Sequence, residues 1–354
     1  REPESFEGSV TGSLMGFSLA LGQSSKHFSQ LHGIRFKKNN SLLSSLETKG
    51  EYDPSFFDYQ TNLIWKISPK WKASFLGNIA VNRYKFKPTD RETNFGTSSD
   101  AKQFKVYFDG EEKDRFETWF GALNLTYTHS KSTSLSLLAS GFLTNELVGY
   151  DISGEYWLDQ AGTTGDGNPD NAVGGELGVG RYHEHARNRL KISVFSLGLQ
   201  GQTGINKHNL TYGFNFNRQT IMERTREWEL RDSAGYTLPT DGQHIRVISN
   251  LTSNQDLSTT RLAFYVADSY RLQSSLGYFA FNAGIRLSYW DFNKEFLFSP
   301  RLNVAFVPER NPAWTLRFAT GLYYQQPFYK EFRRPVADAY GNTEVVLNNE
   351  IKSQ

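Results

Sequence analysis

Residues 276–290 read LGYFAFNAGIRLSYW, and within them large or apolar side chains alternate with small or polar ones. Large or apolar residues take the odd positions from Phe279 to Tyr289, while Asn282, Arg286 and Ser288 take even positions. Successive side chains of a β-strand point to opposite faces, so this alternation predicts a strand with one apolar and one polar face. Similar alternation in residues 57–67 and 209–218 predicts the same structure there.

The alternation recurs along the whole chain, whereas a helical period of 3.6 is almost absent. We predict about twelve strands, near residues 9–21, 27–36, 57–67, 71–86, 117–128, 135–147, 188–203, 209–218, 259–271, 276–290, 295–307 and 313–324. The predicted connections alternate in length: 22–26, 68–70, 129–134, 204–208, 272–275 and 308–312 are short, and 37–56, 87–116, 148–187, 219–258 and the tail after 324 are long. Residues 291–294 break the rule, being short where a long connection is expected.

Composition excludes several classes of protein. The 354 residues carry 39 Lys and Arg against 37 Asp and Glu, have no Cys, and combine a mean hydropathy of −0.55 with 15% aromatics. The longest apolar run, residues 262–267, is far shorter than the roughly 20 residues of a spanning helix. A net charge of +2 gives no surplus of cations for nucleic acid, and disulfides and Cys-ligated metals are excluded.

The alternating loop lengths favour a membrane barrel over a soluble β protein. Outer-membrane barrels have short periplasmic turns and long extracellular loops, and they turn apolar side chains to lipid and polar ones to the lumen. We therefore predict an all-β antiparallel transmembrane barrel. Aromatic side chains near the predicted strand ends suit its interfacial girdles, namely Trp65, Trp71, Trp119, Tyr127, Tyr289, Trp290 and Trp314.

Arg286, Arg301 and Arg317 are the candidate ligand-contacting residues. They lie on three successive predicted strands, and the alternation directs all three into the lumen. Three guanidinium groups at that position suit an anionic solute or a plug inside the barrel. A structural ladder with lumenal carboxylates is the alternative.

Two segments resemble metal sites only weakly. His183 and His185 have the spacing that puts both rings on one face of a strand, but no third ligand is apparent, so an exposed loop-to-strand junction is favoured over a metal site. Residues 165–171 offer oxygens from Asp166, Asn168 and Asp170 yet lack the Gly and Glu of a helical calcium loop, so a polar turn is favoured. We expect no metal and no cofactor.

No catalytic motif is present. The sequence contains no nucleophile elbow, zinc helix, phosphate loop or paired-carboxylate pattern, so we expect no enzymatic activity. An outer-membrane hydrolase is the last alternative. The charged residues 109–115 are interpreted as a solvated hairpin tip.

Several segments resemble the barrel of TonB-dependent outer-membrane receptors of the type common in Bacteroidota. They run in order through most of the chain, and the turn around Ser299, Pro300 and Arg301 is the most specific part. The matching residues are 50–68, 116–127, 144–158, 227–239, 262–272, 281–290, 298–309 and 316–333.

The resemblance implies a 22-strand barrel that is filled by an N-terminal plug and energised by the TonB complex. Residues 1–354 would be an internal part of that barrel, with about twelve of its strands and with the plug and the C-terminal strands absent. The implied protein is a multi-pass component of the cell outer membrane that imports a scarce solute such as a siderophore, cobalamin, a glycan or a peptide. Its implied partners are outer-membrane lipid, its own plug, the TonB complex and a small-molecule or oligomeric solute, with no nucleic acid.

Two further alternatives fit the same alternation. A passive porin-like channel would share the strands and loops but lack a plug. A secreted or surface β protein that binds glycans through its aromatics would need no membrane.

Overall fold

The computed structural model describes residue 3 and residues 5–38, 50–97, 100–161, 176–233 and 243–354. Within them the chain is almost entirely β-strand, with a single 3-10 turn at Tyr329–Glu331. No helix in these ranges is long and apolar enough to cross a membrane. The strands are β1 Glu7–Ser13, β2 Gly16–Ser24, β3 Phe28–Lys38, β4 Gly50–Tyr52, β5 Ser55–Lys66, β6 Trp71–Pro88, β7 Arg91–Thr97, β8 Asp100–Ser130, β9 Thr133–Ala161, β10 Glu176–Ile205, β11 His208–Asp232, β12 Arg246–Ser274, β13 Gly277–Trp290, β14 Glu295–Pro308, β15 Leu316–Gly321, β16 Arg333–Ala337 and β17 Asn342–Leu347.

Thirteen of these strands form one antiparallel meander. Each pairs with the next in the order β1, β2, β3, β5, β6, β8, β9, β10, β11, β12, β13, β14 and β15. Among the described strands, β1 pairs only with β2 and β15 only with β14, so the sheet is open at both edges. The predicted all-β antiparallel architecture is confirmed.

Two short strands, β4 and β7, and one hairpin, β16–β17, pair with the meander at its margins. β4 pairs with the end of β6, and β7 folds back on the start of β8. β16 and β17 form a hairpin, and β17 runs parallel to β12 at residues 250–252. This last pairing brings the tail of the chain back onto the sheet.

The loop rule holds at one end of the sheet. The turns after β2, β5, β8, β10, β12 and β14 are all short, as predicted, and the exceptional turn 291–294 is also short. The first predicted strand, 9–21, is wrong, because a tight turn at Leu14 and Met15 divides it into β1 and β2. Gly16, at a φ of 144°, makes that turn possible, since a Cβ there would lie 2.0 Å from the Phe36 carbonyl oxygen.

The long connections at the other end are the main error of the sequence prediction. Residues expected in loops 87–116, 148–187 and 219–258 largely extend the neighbouring strands, so that β8, β9, β10 and β12 each run for 29–31 residues. At about 3.3 Å per residue such a strand is roughly 100 Å long, whereas a membrane needs only about 9–11 residues of strand. The extension of β9 keeps an alternation that the prediction missed, because Val148, Tyr150 and Ile152 alternate with Gly149, Asp151 and Ser153. Residues 109–115 of β8 show no such pattern.

The cluster at residues 109–115 belongs to one of these extensions. It lies in the middle of β8, paired with β9, and is not a hairpin tip as predicted. Gly110 adopts a φ of 100°, and a Cβ there would stand 1.9 Å from the Asp151 carbonyl oxygen. Position 110 therefore requires glycine, because β8 and β9 approach each other too closely there for a side chain.

The register sorts the side chains onto two faces. Residues paired across strands share a face, and neighbours along a strand alternate. We call the side that carries Phe281 the apolar face and the side that carries Asn282 the polar face. Near the short turns the apolar face carries the ring pairs Trp71 with Tyr127, centroids 4.8 Å apart, and Phe28 with Trp65, 5.3 Å apart. These aromatics suit the predicted girdle on that side.

Trp290 differs from the other predicted girdle residues. Its partner in β12 is Arg261, which places it on the polar face, and its side chain is only 1% exposed. Trp119, by contrast, is half exposed on the apolar face. The prediction for Trp290 is wrong because position near a strand end does not by itself fix the face.

Candidate functional site

The polar face carries the three arginines predicted to point inward. Arg286 of β13 pairs with Ser299, Arg301 of β14 pairs with Gly284 and Gly321, and Arg317 of β15 pairs with Ala305. Following the register from strand to strand puts all three on the side of Asn282. Arg286 is half-buried, whereas Arg301 and Arg317 are exposed.

Arg286 and Arg301 lie beside one cavity of about 610 Å³ on this face. The Arg286 guanidinium lies 6.0 Å from the centre of the Tyr265 ring, and that of Arg301 lies 4.7 Å from the Tyr323 ring. Neither arginine forms an ion pair with a carboxylate among the residues that the structure describes. Arg317 is not part of the cavity lining, so the structure brings together two of the three predicted residues.

The cavity can hold an anion next to apolar surface. Amides of Gln200, Asn215 and Asn282 line it together with the small side chains of Ala267 and Ala319. Arg presents several N–H groups in a fixed fork, which suits carboxylate or phosphate, and a ring face behind the fork holds it in place without neutralising it. The site therefore offers positive charge, amide groups and space.

The tail of the chain docks on the same face, above this cavity. Glu223 of β11 is only 6% exposed and anchors it. Its carboxylate accepts hydrogen bonds from the Tyr329 hydroxyl at 2.7 Å and from the Ser253 hydroxyl at 3.0 Å. The Arg333 guanidinium lies 2.8 Å from its other oxygen. Burial and the bond to Glu223 raise the pKa of Tyr329, so this phenol stays neutral and keeps its proton for the bond.

An apolar cluster completes the docking. Phe332 is 1% exposed and packs with Ile221, Leu257 and Trp290, which all lie on the polar face. Further along the tail, the Ser353 hydroxyl donates to Glu295 at 2.6 Å, and the Asn293 amide donates to the Ile351 carbonyl at 2.7 Å. The tail is thus fixed at several points and covers part of the polar face.

Replacing the anchor should loosen the tail. Glu223→Gln keeps the shape of the side chain but removes the charge that pairs with Arg333, and hydrogen bonds to charged groups contribute about 1.5–3 kcal/mol. We expect hydrogen exchange of the tail amides to become roughly tenfold faster or more. The matched control is Glu350→Gln, because Glu350 is exposed and its side chain forms no bond among the described residues. Equal protection in both variants would show that the carboxylate does not hold the tail.

His183 and His185 lie inside β10, not at a loop-to-strand junction as expected. Both rings project from one face, as their spacing predicts, and share one carboxylate: His183 Nε2 lies 2.5 Å from Asp151 Oδ1 and His185 Nδ1 lies 3.1 Å from Asp151 Oδ2. Both rings also contact Trp228, with centroids 4.9 Å apart. The described residues contain no group of three His, Asp or Glu arranged to hold a metal ion.

The other weak metal candidates, Asp166, Asn168 and Asp170, lie outside the described residues. Sequence reasoning missed the anchoring residues Glu223, Tyr329 and Arg333, whose contacts join positions about a hundred residues apart. It also missed Tyr265 and Tyr323. For Tyr265 a signal existed, because strict alternation along β12 from Ala263 puts this ring on the polar face.

Comparison with known families gives one match. The family model described as TonB dependent receptor-like, beta-barrel, matches residues 65–351. That match covers most of the chain, including the arginine cavity and all but the last three residues of the docked tail. No curated protein matches the sequence.

Proposed function

This chain belongs to the TonB-dependent receptor-like β-barrel family, and we propose that it forms the translocation barrel of an active transporter that imports an anionic solute. Family membership supports transport across the outer membrane by a multi-pass barrel. In this proposal the apolar face of the sheet contacts lipid and the polar face lines the lumen. The partners are the protein's own plug, the TonB complex and the solute, and the barrel has no catalytic role.

The observation that carries the choice of solute is the cavity beside Arg286 and Arg301. Among the described residues these two guanidinium groups have no carboxylate partner, so their positive charge on a surface that would face the lumen is available to an anion. Tyr265 and Tyr323 add ring faces. An anionic solute with an apolar or sugar portion suits this combination. Arg317, outside the cavity lining, is proposed to contact the plug.

Uptake by cells that contain the full-length protein tests the proposal. A deletion strain and its complemented parent would be compared on a panel of siderophores, cobalamin, acidic glycans and acidic peptides. We expect one anionic member to accumulate above its external concentration only in the complemented strain, and a protonophore to abolish the accumulation. Uptake that merely equilibrates and ignores the protonophore would instead identify a passive porin-like channel.

The two arginines provide the site-specific prediction. The double variant Arg286→Gln, Arg301→Gln should raise the half-saturating solute concentration roughly tenfold or more, since each charged hydrogen bond contributes about 1.5–3 kcal/mol. Arg310→Gln is the control, because Arg310 is an exposed cation in the short turn after β14. An unchanged half-saturating concentration in the double variant would remove these residues from the solute site.

A further inference from the structure

We propose that the apolar face holds a binding site for an anionic lipid, with its acyl chain in a groove across six strands and its headgroup at Arg218, Lys191 and Arg189. The groove has a volume of about 590 Å³ and extends from Tyr59 on β5 to Arg218 on β11. This inference depends on insertion in a membrane but not on transport, so the uptake experiment and the test below can fail separately.

The floor of the groove lies along one cross-strand row. Thr61, Gly77, Gly121, Gly141, Phe195 and Arg218 are paired in sequence from β5 to β11. Five strand steps of about 4.8 Å give the groove a length of roughly 24 Å. At Gly141 an added Cβ would have no atom within 4 Å, and at Gly121 the nearest would be the Phe75 ring at 3.5 Å. The groove is therefore open from the lipid side.

The walls of the groove are apolar. Phe75, Ile79, Trp119 and Leu143 line it beside the glycines, and Phe195 is half exposed within it. In a membrane an open apolar groove of this shape is filled by hydrocarbon. Its length and narrow form suit a single acyl chain better than a protein segment, because a strand or helix would need a broader surface.

The groove rises toward the end of the sheet that bears the long connections. Thr61 lies near the short-turn end of β5 at Lys66, whereas Arg218 lies farther from the short-turn end of β11 at His208. On this face of β11 the residues from Leu210 to Phe216 are all apolar, whereas Arg218, Thr220, Arg224 and Arg226 follow, with Met222 as the one apolar residue among them. The cationic end of the groove thus coincides with the boundary between the apolar belt and water.

Polar groups are concentrated at that end. Ser193 and Thr220 pair across β10 and β11 and line the groove with Arg218, whose guanidinium donates to the Thr260 hydroxyl at 2.8 Å. Lys191 is on the next row of the same face, opposite Met222. Within the described part of the chain, Arg218 and Lys191 form no ion pair.

The following row opposes two like charges. Arg189 pairs directly with Arg224, an arrangement that destabilises a sheet unless an anion lies between the two groups. Arg224 has a carboxylate partner, Asp256, at 2.7 Å, but Arg189 has none among the described residues. Both arginines line a second cavity of about 770 Å³ directly above the groove.

Two of the three carboxylates that line this upper cavity are already bonded, and the third, Asp109, lies opposite Ser153, six residues along β8 from Arg115, which is on the row of Arg189. Glu111 pairs with Lys85 at 2.8 Å and also with Lys113, while Asp151 contacts His183 and His185. The unpaired charge next to the groove is therefore positive. An apolar groove below and a cationic, hydroxyl-bearing surface above complement a lipid whose headgroup carries a phosphate.

Native mass spectrometry of the full-length protein in detergent tests the site. The probes are phosphatidylglycerol and phosphatidylcholine with identical acyl chains, and inorganic phosphate as a competitor. We expect wild-type protein to retain phosphatidylglycerol in preference to phosphatidylcholine. Lys191→Gln combined with Arg218→Gln should reduce that retention roughly tenfold.

Gly141→Leu tests the groove separately, because a Cβ there would meet no atom within 4 Å and the rest of the leucine side chain would extend into the acyl-chain position. It should reduce retention of both lipids. The controls are Arg310→Gln, an exposed cation in a short turn, and Gly33→Leu, a polar-face position where an added Cβ also has open space. Heat-modifiable migration on gels shows that each variant is folded.

Two results would overturn the proposal. Unchanged retention of phosphatidylglycerol in the double variant and in Gly141→Leu would show that lipid binds elsewhere. Complete displacement of phosphatidylglycerol by millimolar inorganic phosphate, with Gly141→Leu indistinguishable from wild type, would identify a free-anion site without an acyl-chain groove.

Discussion

Phe281→Arg is expected to prevent most of the protein from assembling into its folded, membrane-inserted form. Phe281 lies on the apolar face, paired with Tyr270 and Val304, and its ring is 6.0 Å from that of Phe279. An arginine at the middle of the lipid-facing surface costs about 2–4 kcal/mol. The yield of heat-modifiable protein after refolding into vesicles measures the effect.

The neighbouring residue supplies the control for this experiment. Asn282 is exposed on the polar face, where its amide oxygen accepts a hydrogen bond from the Ser269 hydroxyl at 2.6 Å. Asn282→Arg should fold with nearly wild-type yield, because a cation in a water-filled lumen remains solvated. If both variants folded equally well, or if only Asn282→Arg failed, the assignment of lipid and lumen faces would be wrong.

The contrast between these two adjacent positions shows what alternation predicts well. On the apolar face of β13 and β14 each apolar residue has an apolar partner across the strands, so the face and the approximate strand ends follow from a single sequence. The same holds for β5, β6 and the lower part of β8. In these segments lipid on one side and water on the other impose a sharp difference between odd and even positions.

In the upper part of β8 that difference disappears. β8 carries Asp109, Glu111, Lys113 and Arg115 on one face and other polar residues on the other, yet its ladder with β9 continues without a break at these positions. Backbone hydrogen bonds stabilise these extensions, and backbone bonds leave no pattern in the side chains. Periodicity could therefore predict the spanning part of β8 but not its full length.

The candidate site likewise has one part that the sequence predicts and one part that it does not. The inward direction of Arg286 and Arg301 follows from local alternation and needs no knowledge of distant residues. The anchor of the tail does not, because Glu223 meets Tyr329 and Arg333 only after β11 and the tail have come together. Glu223 is one of many charged residues in β11, and nothing in the local sequence distinguishes it as the one that becomes buried.

The docked tail also changes how the polar face is expected to work. Residues 325–354 cover Ile221, Leu257 and Trp290, and the hydrogen bonds at Glu223, Glu295 and Asn293 fix both ends of the covering segment. In the proposed transporter this segment would stand between the extracellular side and the arginine cavity. Its stability would then limit how readily a solute reaches Arg286 and Arg301.

Phe332→Ala is expected to release that segment. Phe332 is 1% exposed, and its ring centre is 5.2 Å from that of Phe292, 5.5 Å from Tyr329 and 5.9 Å from Trp290. Removing a buried phenylalanine costs about 3–5 kcal/mol. The sheet retains its own ladders, so we expect the loss to fall on the docking of the tail and not on the barrel.

Hydrogen exchange of residues 325–354 measures this loss. Opening of the tail should become more than about a hundredfold more frequent, while amides of β10–β13 away from the cluster keep their protection. Phe328→Ala is the matched control, because Phe328 is 65% exposed and lies only four positions earlier. Unchanged exchange in Phe332→Ala would mean that the polar contacts alone hold the tail. Lost protection throughout the sheet would mean that the cluster belongs to the core of the barrel and that the tail is not a separable cover.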